Sequence, residues 1–214
     1  MGRAVMACLA EDRIKTIGID VKPSPKGIVC DISDPAAVKK AISEIGQVDI
    51  LVNNAGILSN NKSEATSPEE WRRVLAANLD GAFYLAREVI PGMKARRWGR
   101  IVNTCSLAAK TGGLTAGTAY STSKGALTSL TFSLARELAA FGVTVNGISP
   151  AYVNTPMVTQ QLTAAQRKAV LAQIPVGRFC EPEEFAHVVR FLVAPLSGFI
   201  TGEIVDLNGG VIMD

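Results

Sequence analysis

Short apolar runs alternate with stretches of helical periodicity along the whole chain, and that alternation restricts the fold more than any other property of the sequence. KTIGID, GIVC, DILVNN, RIVNTC, VTVNGI and EIVDL read as strands. Helical patterns fall near residues 3–12, 35–45, 68–96, 119–140, 163–173 and 182–194. Pro35, Pro68 and Pro182 each stand near a helix start, where a missing N–H leaves no helical bond unmade. Strands that are apolar without alternation are buried on both faces, which means a mostly parallel sheet with helices on each side. The 214 residues, 48% of them hydrophobic, suffice for one core, and no Pro/Gly/Ser-rich tract marks a linker. Residues 1–214 are therefore expected to form a single α/β domain.

A net charge of +3 is too small to argue for nucleic acid, and the basic cluster KARRWGR (Lys94 to Arg100) reads as a helix end, where cations suit the dipole. No apolar stretch approaches the roughly 18 residues of a membrane span, and the first residues show no signal-peptide pattern. A cytoplasmic protein without membrane or nucleic-acid partners is predicted. Cys8, Cys30, Cys105 and Cys180 lack metal-ligand or C-x-x-C spacing, so they read as reduced thiols, and no metal site is expected. His187 is the sole histidine and no G-x-S-x-G occurs, which argues against Ser-His-Asp hydrolysis.

Tyr120 and Lys124, in AYSTSKGAL, stand one helical turn apart on one face. An ammonium beside a phenol favours phenolate and is expected to lower the Tyr pKa, so that the hydroxyl exchanges a proton with an alcohol or carbonyl near neutral pH. Ser106 follows the strand RIVNTC, at the functional edge of an open α/β sheet. VDILVNNAG is a further apolar strand that ends in Asn-Asn-Ala-Gly, and Asn78 lies inside a helical pattern, where asparagine is a poor residue and asks for a reason.

In this order, NNAG (Asn53 to Gly56), Asn78, Ser106, Tyr120-x-x-x-Lys124, PAYVNT (Pro150 to Thr155) and the terminal ITGEIVDLNGG resemble the short-chain dehydrogenase/reductase family over nearly the whole chain. The resemblance implies a Rossmann-like, doubly wound sheet. It also implies an oxidoreductase that moves a hydride between a nicotinamide cofactor and a secondary alcohol or ketone. It makes Tyr120 the general acid/base and Lys124 both its tuner and a holder of the nicotinamide ribose. Ser106 would bond the substrate oxygen and Asn78 would hold a water in a proton relay. Cofactor contacts are implied for Gly2, Asp31, Ile32, Asn53, Ala55, Gly56, Pro150, Val153 and Thr155. Asp31 has a second reading as a cap for the helix that starts at Pro35. Asp20, which ends the strand KTIGID, can accept from ribose hydroxyls and would repel a 2′-phosphate, so NAD is favoured over NADP, although the nearby Lys22 leaves room for NADP.

The sequence departs from the family at Ala151, where glycine is commoner, and at its start. Gly2 resembles the last glycine of the TGxxxGxG loop, and the strand and glycines that precede it in the family have no counterpart here. Two consequences are expected: weak dinucleotide binding by the chain as written, and either a marginal fold or direct pairing of the strands ending at Asp20 and Asn53. A 3-oxoacyl thioester reductase is an alternative, with Arg96-Arg97 as contact for an acidic carrier protein. A non-catalytic homologue that serves as a binding or assembly module is another. Met157, Val158, Leu162, Val170, Leu171 and Ile174 would line an apolar lid or pack a helix onto the body. Family members commonly form tetramers through two long helices, which implies a homotetramer built on 68–96 and 119–140. Leu127, Leu130, Leu134 and Leu138 would face the sheet or a neighbour.

Overall fold

The computed structural model describes residues 1–25, 27–155, 158 and 163–213. Its strands are β1 (Gly18–Asp20), β2 (Gly27–Val29), β3 (Ile50–Asn53), β4 (Gly99–Thr104), β5 (Val143–Pro150) and β6 (Ile204–Leu207). The helices are α1 (Gly2–Glu11), α2 (Pro35–Ile45), α3 (Pro68–Leu75), α4 (Gly81–Arg96), α5 (Ala108–Thr111), α6 (Thr118–Leu138), α7 (Ala164–Leu171) and α8 (Pro182–Val193). Among the described residues every strand pairing is parallel, in a Rossmann-like arrangement with helices on both faces.

β4 and β5 are buried along their entire lengths, polar Asn103, Thr144 and Asn146 included, as central strands of a parallel sheet are. Their side chains divide between two cores according to the strand period of two. Ile101, Val143 and Val145 join Val38, Leu85, Ala86 and Leu134 from α2, α4 and α6. Val102 and Ile148 join Val5 and Leu9 of α1 and Phe185, Val189 and Leu192 of α8 on the other side. The leucine face of α6 thus packs inward, with Leu127, Leu134 and Leu138 buried.

The sheet is split. β3-β4-β5-β6 form one four-stranded unit and β1-β2 a separate pair. Direct pairing of the strands ending at Asp20 and Asn53, one of the two outcomes expected from sequence, does not form. The helix layer supplies the reason: Ile19, Ile28 and Cys30 pack into the α2–α4–α6 core, so β1 and β2 are positioned by side-chain burial and not by a ladder to β3.

Helix starts follow the sequence. The Asp34 carboxylate accepts from Ala36 N–H at 2.8 Å and caps α2 with Pro35 in its first turn, and Ser67 caps α3 through Glu70 N–H. The single helix expected over 68–96 is interrupted by a π-helical turn, Ala76–Asp80, between α3 and α4. Among the described residues no helix is long and apolar enough to cross a membrane.

Candidate active site

The C-terminal ends of β3, β4 and β5 deliver Asn53, Ser106 and Pro150 to one edge of the sheet, and the first turns of α6 bring Tyr120 and Lys124 to the same place. Ser106 and Tyr120 line a cleft of ≈ 350 Å³ whose other walls include Leu114, Tyr152 and Val158. Lys124 is 3% exposed. Its Nζ donates to the Thr104 carbonyl at 2.6 Å and lies 5.8 Å from the centre of the Tyr120 ring. Burial pulls the Lys124 pKa down to about 8.

Burial also pushes the Tyr120 phenol above its ordinary range, with Ser106 pulling it partly back. This reverses the sign expected from the Tyr-Lys spacing. Removing the phenol from water disfavours phenolate, and the ammonium that would stabilise phenolate is itself desolvated and bonded to Thr104. Near neutral pH the phenol keeps its proton and is poised as an acid.

Asn78 occupies the middle of the π-helical turn, 1% exposed. The widened turn explains an asparagine inside a helix, and such turns are frequent at functional sites. Its Oδ1 accepts from Ile57 N–H at 2.8 Å, and its Nδ2 donates to the Ile57 carbonyl and to Ser123 Oγ, each at 3.0 Å. Both amide donors are engaged, while Oδ1 retains one lone pair. Gly56 lies against this group: a Cβ there would come within 3.0 Å of Asn78 Oδ1 and 3.6 Å of Lys124 Nζ. Gly56, Asn78 and Lys124 are therefore brought together. Ser123, three residues after Tyr120 in YSTSK, is a partner that the motif contained and the sequence reading passed over.

Two loops close one wall of the cleft. Lys62 Nζ donates to the carbonyls of Gly113 (3.1 Å) and Ala116 (2.7 Å). Gly117 N–H donates to the Ser59 carbonyl at 2.7 Å and Thr118 N–H to the Asn61 carbonyl at 3.1 Å, so α6 starts against the 59–61 backbone. Gly117 is required by that approach, since a Cβ would collide with Asn60 and Asn61. Glu70 holds Ser59 and Asn61 in turn, and those two bonds keep its carboxyl below the usual range. No spacing in the sequence connects these residues.

The residues expected to hold a dinucleotide are spread along the sheet edge. Gly2 opens α1, whose N-terminus carries no side-chain cap, and a Cβ on Gly2 would lie 3.1 Å from Asn54 Nδ2. Asn54 Oδ1 and Asn53 Oδ1 are buried without a hydrogen-bond partner. Asn53 Nδ2 donates to Asn103 Oδ1 at 2.8 Å, and Asn103 Nδ2 to Thr131 Oγ1 at 2.9 Å, a chain made possible by the Asn53–Asn103 register of β3 and β4. Asp20 is exposed at the end of β1 and accepts from Lys22 N–H. The Asp31 carboxylate holds Ser33 by backbone and hydroxyl and stays below its ordinary pKa, while Asp34 provides the cap of α2. The Ile32 side chain packs on Gly81 and so belongs to the core boundary. Ala55 is exposed. Pro150 accepts from Leu107 N–H at 3.0 Å, buried Val153 bridges to Cys180, and Thr155 N–H donates to the Val153 carbonyl. Uncapped amide donors at the start of α1, with unpaired amide oxygens and an acidic acceptor at the end of β1 beside them, suit a dinucleotide.

Arg96 and Arg97 lie at the opposite end of β4 from Ser106; Arg96 pairs with Asp49 at 3.0 Å and with the Val48 carbonyl, and Arg97 with the Ala140 carbonyl. They are helix-end tethers and not part of the cleft wall. Val170, Ile174 and Phe179 form a small cluster with Tyr152, Val158 and Leu171, while Met157 and Leu162 lie outside the described residues. His187 is exposed, the four thiols are free, and no group of His, Cys, Asp and Glu among the described residues could hold a metal.

Residues 4–212 match the family model described as Enoyl-(Acyl carrier protein) reductase. The whole chain is 40% identical to the 3-oxoacyl-[acyl-carrier-protein] reductase of Vibrio cholerae and 36% identical to that of Escherichia coli, in each case covering 93% of the relative. The crystal structure of 3-oxoacyl-[acyl-carrier protein] reductase from Brucella melitensis aligns with a TM-score of 0.93 at 33% identity, over 100% of this chain and 87% of that one. The chain belongs to the short-chain dehydrogenase/reductase family. As a member of that family it is an NAD(P)-dependent oxidoreductase.

Proposed function

We propose that residues 1–214 act as one unit that reduces the ketone of a 3-oxoacyl thioester to a secondary alcohol. The observation that carries this reading is a phenol kept protonated by burial, beside a serine hydroxyl, in a cleft with apolar walls. The hydride for the carbonyl carbon would come from a nicotinamide held at this edge of the sheet. Tyr120 donates its proton to the carbonyl oxygen, the phenolate left behind is reprotonated from water, and Ser106 Oγ donates a hydrogen bond to the same oxygen as charge develops. Lys124 Nζ, fixed on the Thr104 carbonyl 5.8 Å from the centre of the Tyr120 ring, would tune the phenol and hold the nicotinamide ribose. Asn78 acts by positioning Ile57 and Ser123, and its remaining lone pair holds a water at the head of a proton path.

Gly2, Asn53, Ala55, Gly56, Pro150, Val153 and Thr155 would line the cofactor, with Asp31 and Ile32 at its adenine end. Asp20 supports NAD over NADP, because an exposed carboxylate at the end of β1 accepts ribose hydroxyls and repels a phosphate. Assembly as a homotetramer is supported by exposed aromatics on the two long helices, Phe83 and Phe132, and by Phe191, Leu196 and Phe199 near α8. Light scattering that reports a monomer at micromolar concentration would remove that part of the reading.

The test is NADH and NADPH oxidation with acetoacetyl thioester as substrate, wild type against Tyr120→Phe. Turnover by wild type that Tyr120→Phe abolishes is the expected result, and equal turnover by both overturns it.

A further inference from the structure

Tyr152 stands between two cavities. On one side is the cleft with Ser106 and Tyr120; on the other is a second cavity of ≈ 170 Å³ walled by Ile174, Val176 and Leu207, and Tyr152 with its neighbour Ala151 lines both. The polar groups of the second cavity already have partners. Arg178 and Glu184 close on each other through two bonds of 2.6 and 2.7 Å. Asn208 is engaged with the Ile212 carbonyl and Gly210 N–H. The Cys180 thiol donates to the Glu181 carbonyl, and its pKa is pushed up to about 11 by burial, so it stays uncharged. A space whose polar lining is satisfied within the protein favours an apolar occupant.

The Tyr152 backbone is fixed, because its carbonyl accepts from Cys180 N–H at 3.0 Å and the preceding Ala151 N–H donates to the Leu207 carbonyl at 3.1 Å. The side chain is held more lightly, by one bond between its hydroxyl and Thr115 Oγ1 at 3.2 Å and by ring contact with Phe179 at 6.1 Å. Thr115 belongs to the loop carried by Lys62, so this contact joins opposite walls of the cleft.

We infer that Tyr152 is a specificity-determining residue that sets the length of acyl chain the enzyme accepts: its ring is the partition at which the catalytic cleft ends, and the second cavity is the space that distal methylenes enter when the partition is trimmed. This rests on the 3-oxoacyl reading above. The measurement is kcat/KM for acetoacetyl and 3-oxododecanoyl N-acetylcysteamine thioesters, expressed as the ratio of long chain to short. Each methylene that gains an apolar place contributes roughly fourfold, so Tyr152→Ala should raise the ratio by about tenfold or more. Adding Val176→Trp, at an exposed position of the second cavity's wall, should return the ratio toward wild type. If Tyr152→Ala does not fold, Thr115→Val removes the hydroxyl contact alone and should raise the ratio roughly twofold or more. An unchanged ratio in the folded variant, or a rise that Val176→Trp does not reverse, overturns the partition while leaving the proposed reaction standing. Failure of the wild type to reduce either thioester overturns both.

Discussion

Asn78 holds Ile57 by both of its backbone polar atoms, accepting from the N–H at 2.8 Å and donating to the carbonyl at 3.0 Å. Because Ile57 directly follows the NNAG turn, this paired bond fixes the loop that lies against Lys124. Asn78→Ala should leave those backbone groups and Ser123 without their partner, at a cost of about 1–3 kcal/mol for each buried group left unpaired. A fall in Tm of several degrees, on the order of 2–4 °C per kcal/mol for a chain of this size, is expected in thermal unfolding. A variant that melts with the wild type would show that water replaces the side chain at no cost.

The parts of this site that could be read from sequence are those fixed by periodicity or by strand ends. Tyr120 and Lys124 share a face because a helix turns every 3.6 residues, and Ser106 sits at an edge because it directly follows the strand read from RIVNTC. The oddness of Asn78 in a helix pointed to the π-helical turn without naming it. Lys62 was illegible for the opposite reason: its acceptors are 51 and 54 residues away, on a loop whose path no local pattern reveals. The sign of the Tyr120 shift depends on how deeply the phenol is buried, and depth is a tertiary quantity. The split sheet belongs to the same class, because the helix layer positions β1 and β2.

A phenol raised above its ordinary pKa makes a directional prediction. Ketone reduction needs the protonated form, so its rate should hold through neutral pH and fall only at alkaline pH, as phenolate accumulates. Alcohol oxidation needs phenolate and should rise with pH over the same range. Profiles of kcat in both directions test this, and a reduction rate that falls between pH 6 and pH 7, below the range in which either Tyr120 or Lys124 loses its proton, would contradict it.

Lys124 should cost stability at neutral pH. Its folded pKa of about 8 lies below the ordinary 10.5, so below pH 8 the protein carries a buried ammonium that the unfolded chain solvates freely. Between about pH 8 and 10.5 the folded state releases the proton first, and the penalty fades as pH rises. The shift corresponds to on the order of 3 kcal/mol. Lys124→Met leaves the buried Thr104 carbonyl without its donor, at a cost of about 1–3 kcal/mol, so a net gain of at most about 2 kcal/mol is expected at pH 7. Urea unfolding of both proteins at neutral and alkaline pH checks the size and the direction. A Met variant less stable at neutral pH, or a gain that grows with pH, would reject the account.

Lys62 offers a separation of binding from chemistry. Its ammonium holds the Gly113 and Ala116 carbonyls, and between them Leu114 and Thr115 line the cleft. Tyr120, by contrast, rides on α6, whose start is fixed by backbone bonds from Gly117 and Thr118 that do not involve the lysine side chain. Lys62→Met keeps the aliphatic stem and removes two charge-assisted bonds, each worth about 1.5–3 kcal/mol before water replaces part of it. The loop should loosen while the proton donor stays in place. The expected result is a KM for the ketone raised about tenfold, equivalent to 1.4 kcal/mol, with kcat within about threefold of wild type. Faster amide exchange in residues 113–116, but not in 118–124, should accompany it. A kcat that falls with KM unchanged would mean that the lysine acts on the chemistry through α6, and the two-loop wall would then have to be treated as part of the proton-donor assembly.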